Sequence, residues 1–411
     1  MPMNSELKPK IRFKGFTDDW EQRKLKDIGE ILTGSTPSTS HEEYYSSDGM
    51  LWVTPTDINS NIIKTTARRL SIKGEKVARI VPKNTILVTC IASIGKNALV
   101  LEKSSFNQQI NSLTPFDKYN PYFLLTDSVL WSNTMKQQGA AGMMQIVNKN
   151  EFSEIETNIP SEEEQNKIGN LYKQIDNLIT LHQRKCDKLV ELKKSLLEKM
   201  FPQNNSVIPE IRFKGFTDDW EQRKLEDFGS FTGGTSIESE FEENGKYKVI
   251  SIGSYSETSK YNDQGIRCRL SEKTINKILN KDDLTMILND KTSSGNIIGR
   301  VLIIDKSGEY VYNQRTERIE PNIQKYYPQF LYHMLNAPNI RKKIIKQSQG
   351  NTQIFVNWTG IQKLEYLVPK MDEQINLAKL IGNLDNLITL HQRKHDKLNK
   401  IKQSLLNDMF V

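Results

Sequence analysis

Apolar residues recur at heptad spacing in two stretches of this chain, Ser161–Phe201 and Lys370–Phe410. In both stretches leucine and isoleucine fill the a and d positions, which predicts two long helices of about 60 Å each. Ser161 followed by Glu164 predicts a capping box at the start of the first helix. Because a lone amphipathic helix is unstable in water, we expect the two helices to pack together as an antiparallel coiled coil.

Polar residues interrupt both heptad patterns near the middle. They are His182 and Lys185 in the first stretch and His391 and Lys394 in the second. In an antiparallel pair these residues either meet at the centre and fix the register, or face solvent or a partner protein.

The rest of each half contains short β-rich runs that glycine, proline, asparagine and serine interrupt at close spacing. Helical patterns follow them at Pro121–Gln138 and Pro328–Gln347. We therefore expect an α/β fold in which two similar globular α/β domains, each with a loop-rich face, are separated by the two long helices as a pseudo-two-fold tandem repeat. The expected parts are a first domain at 1–160, a central helix at 161–201, a second domain at 202–369 and a C-terminal helix at 370–411.

The ends of the two halves are nearly the same sequence. Ile11–Leu25 reads IRFKGFTDDWEQRKL, and Ile211–Leu225 repeats all fifteen residues without a change. Asp176–Lys185, DNLITLHQRK, returns as Asp385–Lys394. Drift after an old duplication does not spare fifteen residues while rewriting the segment beside them. We therefore interpret the divergent middle of each half, residues 26–150 in the first, as a replaceable segment between fixed flanks.

The two middles keep a common skeleton of short matches, which predicts a shared fold with different side chains on its surface. Thr33–Thr36 matches Thr232–Thr235, and the apolar run Thr85–Val88 is matched to Thr285–Leu288. The remaining matches are Gly95-Lys96 with Gly299-Arg300, Phe106–Gln109 with Tyr312–Arg315 and Gln145–Asn148 with Gln353–Asn357.

Composition adds little to this picture. The net charge of +7 favours a polyanionic partner only weakly. The sequence shows no apolar leader, no span of membrane length and no cysteine spacing typical of a metal site, so we expect a cytoplasmic protein. Motifs for chemistry are missing too. The chain has no Pro-Pro pair of the kind that an adenine methyltransferase needs, and Gly95-Lys96-Asn97 fails as a phosphate-binding loop because Cys90 occupies the position of its first glycine.

In its order of motifs the chain resembles the specificity subunit of type I restriction-modification systems over nearly its whole length. The resemblance rests on Trp20–Leu25 and its repeat Trp220–Leu225, on the Thr-Gly turns that follow, and on Leu51–Ile58, LWVTPTDI. The second half departs from the last motif, because Val249–Ser254 reads VISIGS.

The resemblance implies a non-catalytic protein with two target recognition domains, each reading one part of a bipartite site in double-stranded DNA. It also implies separate partners: two methyltransferase (modification) subunits and restriction/translocase subunits. S-adenosylmethionine, ATP and Mg would be bound by those partners, so no cofactor is expected in this chain. The alternatives are an enzyme in its own right, which the missing motifs disfavour, a coiled-coil scaffold that binds only protein, and an orphan DNA-binding protein without partners.

Base edges and phosphates are contacted mainly by amide, hydroxyl and basic side chains, and such residues cluster on loops beside the matched strands. These side chains either contact DNA or hydrogen-bond the backbone of their own loops. The candidates in the first half are Ser93, Lys96, Asn97, Asn107, Gln108 and Gln109. The candidates in the second half are Asn289, Lys291, Thr292, Arg300, Asn313, Gln314 and Arg315.

Overall fold

The computed structural model of the protein describes residues 8–91, 93–139, 146–203 and 206–411. The chain forms two compact units: unit 1 comprises Met1–Gln183 and Gln392–Val411, and unit 2 comprises Arg184–His391. Both units contain one globular α/β domain and a part of each long helix, so the predicted fold class is confirmed. The four predicted domain boundaries stay predictions.

Unit 1 is built on two five-stranded sheets and a two-stranded ribbon. The strand orders are β3-β6-β4-β10-β7, β2-β11-β8-β9-β5 and β1-β12. The strands are β1 Glu21–Lys24, β2 Gly29–Thr33, β3 Tyr45–Ser46, β4 Met50–Val53, β5 Ile62–Ile63, β6 Arg68–Leu70, β7 Ile80–Val81, β8 Ile86–Thr89, β9 Asn97–Val100, β10 Ser104–Phe106, β11 Ile110–Pro115 and β12 Glu156–Ile159. The helices are α1 Leu25–Ile28, α2 Ile72–Glu75, α3 Pro121–Gly139, α4 Lys149–Ser153 and α5 Glu162–Lys199, which continues into unit 2.

Unit 2 repeats this plan with smaller sheets. The strand orders are β14-β21-β17-β19, β16-β15-β20, β13-β23 and β18-β22. The strands are β13 Glu221–Lys224, β14 Gly229–Gly233, β15 Tyr247–Ile250, β16 Arg267–Cys268, β17 Leu284–Ile287, β18 Asn289–Asp290, β19 Val301–Ile303, β20 Tyr310–Tyr312, β21 Thr316–Pro321, β22 Ile354–Phe355 and β23 Glu365–Val368. The helices are α6 Glu272–Ile275, α7 Pro328–Asn336, α8 Pro338–Ile345, α9 Trp358–Ile361 and α10 Met371–Met409, which continues into unit 1.

The second mid-domain helix, predicted as one element, is two helices in the structure. Ala337 has extended backbone between α7 and α8, because Pro338 lacks the N–H that would continue the helix and restricts the residue before it. In unit 1 the equivalent helix α3 runs unbroken over 19 residues.

The long helices pack against each other through the same ion pair in each unit. In unit 1, Lys402 Nζ lies 2.6 Å from Asp176 Oδ1, and in unit 2, Lys193 Nζ lies 2.6 Å from Asp385 Oδ1. In unit 1 the Tyr172 ring of α5 also packs against Phe410, at 5.7 Å between centroids. Residues later in α5 therefore contact residues earlier in α10, so the two helices run antiparallel, as predicted.

The fifteen repeated residues join the start of one long helix to the end of the other. Arg12 forms a bidentate ion pair with the buried carboxylate of Glu164, at 2.7 and 2.8 Å, and Arg212 does the same with Glu373, at 2.8 Å for both bonds. The predicted capping box is therefore only half formed. Ser161 Oγ accepts from Glu164 N, while the Glu164 carboxylate binds Arg12.

The same repeated segments supply a tryptophan to each core. Trp20 packs against Phe123 and against Phe410 from the end of α10, at 5.7 and 5.9 Å between ring centroids. Trp220 packs in the same way against Phe330 and against Phe201 from the end of α5, at 6.3 and 6.0 Å. We call the repeated segment, the ribbon β1-β12 or β13-β23 and the two adjoining helix ends the frame of each unit. Its contacts explain why Arg12 and Trp20 return as Arg212 and Trp220 in the second half.

The core of unit 1 contains a buried carboxylate on α3. Asp127 is 3% exposed, and its Oδ2 atom accepts hydrogen bonds from Trp131 Nε1, at 2.9 Å, and from Thr157 Oγ1. Burial raises the pKa of Asp127 to about 7, against 3.8 for an ordinary aspartate.

We expect Asp127→Asn to stabilise unit 1 more at pH 8 than at pH 5. The folded wild type binds its proton more tightly than the unfolded chain, so its stability falls as pH rises from about 4 to about 7. Asparagine keeps an oxygen for both donors and has no charge to bury. Since one pKa unit corresponds to about 1.4 kcal/mol, the difference in unfolding free energy between variant and wild type should grow by roughly 3 kcal/mol from pH 5 to pH 8. Denaturant unfolding at each pH measures it, and parallel pH profiles for the two proteins would contradict the expectation.

None of the helices in the described residues combines the length and the apolar content that crossing a bilayer requires.

Candidate nucleic-acid interface

Four loops meet on one side of the unit 1 domain and form what we call the loop face of unit 1. They follow β2, β4, β8 and β10, the strands that carry most of the repeated short motifs. Asn107 N donates to Val53 O at 2.9 Å, and Cys90 N donates to Gln109 O at 2.8 Å. The first loop joins them because Gly34 N donates to Ile110 O at 3.0 Å.

Unit 2 builds the same arrangement from β14, β15, β17 and β20, and we call it the loop face of unit 2. Asn313 N donates to Ile250 O at 3.0 Å, Leu288 N to Arg315 O at 2.9 Å, and Gly234 N to Thr316 O at 2.7 Å. These bonds are the equivalents of the three in unit 1. The match of Phe106–Gln109 with Tyr312–Arg315 is therefore confirmed. The match of the two Thr-Gly turns is wrong by one residue, because Gly34 is equivalent to Gly234 and not to Gly233.

Glycine in each Thr-Gly turn is required by close backbone approach. A Cβ atom on Gly34 would lie 2.1 Å from Asn107 O, and one on Gly234 would lie 2.0 Å from Asn313 O. Each turn can therefore reach the loop after β10 or β20 only where no side chain intervenes.

The predicted match of Thr85–Val88 to Thr285–Leu288 is wrong by two residues. Ile86 pairs with Leu113 on β11, and the residue of unit 2 in the same place is Leu284, which pairs with Ile319 on β21. A shift of two keeps the same side chains facing the core, so the apolar pattern alone could not distinguish the two registers. The match of Gly95-Lys96 to Gly299-Arg300 is confirmed, since Gly95 N donates to Thr89 O and Gly299 N to Ile287 O.

The six candidates of unit 1 all lie on or beside its loop face, but they differ in what their side chains do. Ser93, Lys96 and Gln108 are exposed. Asn97 instead binds α3, donating to Ser128 O at 2.7 Å and to Ser132 Oγ at 2.9 Å. Asn107 and Gln109 bind each other, with Asn107 Nδ2 donating to Gln109 Oε1 at 3.1 Å.

The seven candidates of unit 2 divide in the same way. Lys291, Thr292, Gln314 and Arg315 are exposed, and Arg315 has a φ of 66°, in the left-handed region that is rare for residues other than glycine. Asn289 is buried in the ribbon β18-β22.

The two remaining candidates of unit 2 bind neighbouring loops. Asn313 Oδ1 accepts from Ile237 N at 3.2 Å, and its Nδ2 donates to Glu238 at 2.9 Å. Arg300 NH1 donates to Ser259 Oγ at 3.2 Å, and burial lowers the pKa of its guanidinium.

The charge beneath the first loop differs between the units. In unit 1, Asn111 lies opposite Thr33 on the paired strand and accepts a hydrogen bond from its hydroxyl at 2.7 Å. In unit 2 the equivalent residue is Glu317, opposite Gly233, and burial raises the pKa of its carboxyl to about 7. Lys277 Nζ donates to Gly233 O at 2.6 Å, and burial lowers the pKa of its ammonium group.

The loop faces also contain exposed hydroxyls besides the predicted candidates, namely Thr36 and Thr56 in unit 1 and Thr235 in unit 2. The sequence carries a signal for them, since all three lie in the Thr-Gly turns or in the segment Leu51–Ile58. What they share with the candidates is hydrogen-bonding capacity on an exposed loop, which suits phosphates and base edges. Among the described residues no group of three or more His, Cys, Asp and Glu side chains could hold a metal ion.

Comparison with known proteins identifies similar chains. A family model described as the type I restriction modification DNA specificity domain matches residues 17–191 and again residues 217–400. The specificity subunit of type I restriction enzyme MjaIX from Methanocaldococcus jannaschii is 26% identical, covering 94% of this chain and 92% of that one. The HindI specificity subunit from Haemophilus influenzae is 34% identical over 149 residues, 35% of this chain and 32% of its own length. The crystal structure of a type I system S subunit from M. genitalium shares the fold, with a TM-score of 0.68, 15% identity and coverage of 98% and 99% of the two chains.

Proposed function

Because this chain belongs to the type I restriction-modification DNA specificity family, we propose that each loop face reads one half of a bipartite site in double-stranded DNA. One observation carries the proposal: two equivalent loop faces present different exposed side chains on frames that share the same fifteen-residue segment. In such a molecule the two loop faces have the same backbone arrangement, and their different side chains can recognise different base sequences.

The exposed candidates are the contact residues in this proposal. In unit 1 they are Ser93, Lys96 and Gln108, and in unit 2 they are Lys291, Thr292, Gln314 and Arg315. The lysines suit phosphates, while glutamine and arginine suit adenine and guanine edges. The other six candidates shape the loops through the contacts described above.

The chain itself is non-catalytic in this proposal and works in the cytoplasm with separate subunits. Two modification subunits would transfer methyl groups from S-adenosylmethionine to adenine, and restriction subunits would use ATP and Mg. A protein-binding scaffold without DNA recognition is the competing function.

Methylation of DNA by reconstituted complexes tests the proposal. The purified chain alone should transfer no methyl group, whereas the chain with its modification subunits should methylate one bipartite sequence. Gln108→Ala should weaken selection of one half-site and Arg315→Ala that of the other, each by about ten-fold. Exposed Lys342→Ala on α8 is the matched control and should leave both half-sites unchanged. Methyl transfer by the chain alone, or a complex whose methylation ignores sequence, would refute the proposal.

A further inference from the structure

Unit 2 has a longer turn than unit 1 at one position of its loop face. Five residues separate Thr89 from Gly95 in unit 1, whereas eleven separate Ile287 from Gly299 in unit 2. The ends of both turns are closed by the same hydrogen bonds, so the difference is an insertion in the loop itself. We call residues 291–298 the inserted loop; its longest exposed run is Lys291–Ser294.

The base of the inserted loop is fixed by a ribbon and by one carboxylate. Asn289 and Asp290 pair with Phe355 and Ile354 in β18-β22. Asp290 Oδ1 accepts from Thr292 N at 2.9 Å, and Asp290 Oδ2 accepts from Ile297 N at 3.0 Å. Those bonds tie both sides of the loop to a single side chain.

The far side of the loop is held by one arginine of α8. Arg341 is 8% exposed, and its NH2 group donates to three loop carbonyls: Gly295 O at 3.3 Å, Asn296 O at 3.2 Å and Ile298 O at 2.8 Å. Gly295 has a φ of 67°, in the left-handed region, and the hydrogen bond from Arg341 to its carbonyl oxygen helps to stabilise this backbone conformation.

Holding the loop with a buried arginine costs folding free energy. No carboxylate lies within ion-pair distance of Arg341 in the described residues, and its Nε atom is buried without a hydrogen-bond partner there. Burial, and after it the charge of Arg300, lower the pKa of its guanidinium to about 10, although the charge of Asp290 acts in the opposite direction. A buried cation bound only by carbonyls is costly compared with an apolar side chain. Unit 1, with the shorter turn, has no arginine on the equivalent helix α3.

We propose that Arg341 is a positioning residue that holds the inserted loop rigid, so that Lys291–Ser294 forms a DNA contact that only unit 2 possesses. This inference rests on the proposed function and adds to it a contact element with its support. Holding the loop before binding reduces the entropy lost when its lysine and hydroxyl groups engage phosphates or bases.

The test uses the full chain with its modification subunits and DNA selected from a random library by the wild-type complex. Arg341→Met should weaken selection of the half-site read by unit 2 by about ten-fold and leave the other half-site unchanged. Arg341→Lys keeps the charge, but its shorter side chain ends before the position of the guanidinium NH2 group that contacts the loop carbonyls, so it should behave in the same way. Lys342→Met is the matched control, since it removes an exposed charge from the next residue of α8.

A double-mutant cycle separates positioning from general damage to the fold. In a chain with all four residues of Lys291–Ser294 replaced by alanine, the proposed DNA-contacting side chains are absent, so Arg341→Met should cause no further loss of half-site selection. Faster hydrogen exchange confined to residues 291–298 in Arg341→Lys gives a reading that does not depend on DNA.

The inference is overturned if the losses of half-site selection are fully additive in the cycle, or if Arg341→Met has no larger effect than Lys342→Met. In either case the proposed function stands as long as the wild-type complex recognises both half-sites. Absence of sequence-selective binding by the wild-type complex overturns both.

Discussion

Replacing Phe410 with alanine is expected to destabilise unit 1 by about 3–5 kcal/mol. Its ring is 7% exposed and packs against three other aromatic rings. Its centroid lies 5.9 Å from Trp20, 5.3 Å from Phe123 and 5.7 Å from Tyr172. Alanine leaves a cavity among these rings and also releases the end of α10 from the frame.

The repeat supplies the matched variant for this experiment. Phe201 at the end of α5 has the same place in unit 2, so Phe201→Ala should destabilise unit 2 and spare unit 1. Phe116, which is 49% exposed, serves as the control for loss of a surface ring in unit 1. Hydrogen exchange followed by mass spectrometry in increasing denaturant reports each unit separately. If Phe410→Ala lost no more stability than Phe116→Ala, the helix end would not be part of the core.

The long helices were predictable because their heptads report burial directly, and the observed Glu162–Lys199 and Met371–Met409 differ from the prediction by one or two residues at each end. The ends of the middle helices depended on context. Pro338 lies inside an apolar pattern that continues through it, and the pattern alone did not indicate the break. The strand match was shifted by two because alternation has a period of two, and only the pairing partners fix the register.

The candidate site was predictable as a set of loops but not as a set of contacts. Repeated short motifs at strand ends brought every candidate to or beside a loop face, because the same turns close both domains. Which amide side chains are free depends on residues distant in sequence. Asn97 binds α3, and Asn313 binds Glu238, 75 residues away. Arg341 could not be found from the sequence, since its three carbonyl partners lie 43 to 46 residues away in a loop.

The frames and the loop faces have different roles: frame residues hold the fold together, and loop-face residues are proposed to recognise DNA. Frame residues contact one another through a buried ion pair and packed rings that have the same side chains in both units, and through the ribbons β1-β12 and β13-β23. Loop-face residues other than the turn glycines are held largely by backbone hydrogen bonds, which permit many different side chains. A segment held in this way can change its surface without disturbing the frame.

Replacing residues 26–155 with residues 226–364 of the same chain should therefore change only one half of the DNA target. The boundaries are structurally equivalent, because Leu25 N donates to Ile155 O and Leu225 N donates to Leu364 O, both at 3.0 Å. The graft also carries Phe330 to the place of Phe123, so the tryptophan of the frame keeps its aromatic neighbour.

Both halves of the target should then be the half-site that unit 2 reads. Since each mismatched base pair costs about 1–3 kcal/mol, two or three changed positions should weaken binding of the original site by about 10³-fold. The reciprocal graft, residues 26–155 in place of 226–364, should give the unit 1 half-site in both halves and serves as the matched control. Sequencing of methylated DNA from cells that contain each chimera and the modification subunits gives both targets in one measurement. A chimera that folds and still methylates the original asymmetric site would place recognition in the frames, and the loop faces would then lose their proposed role.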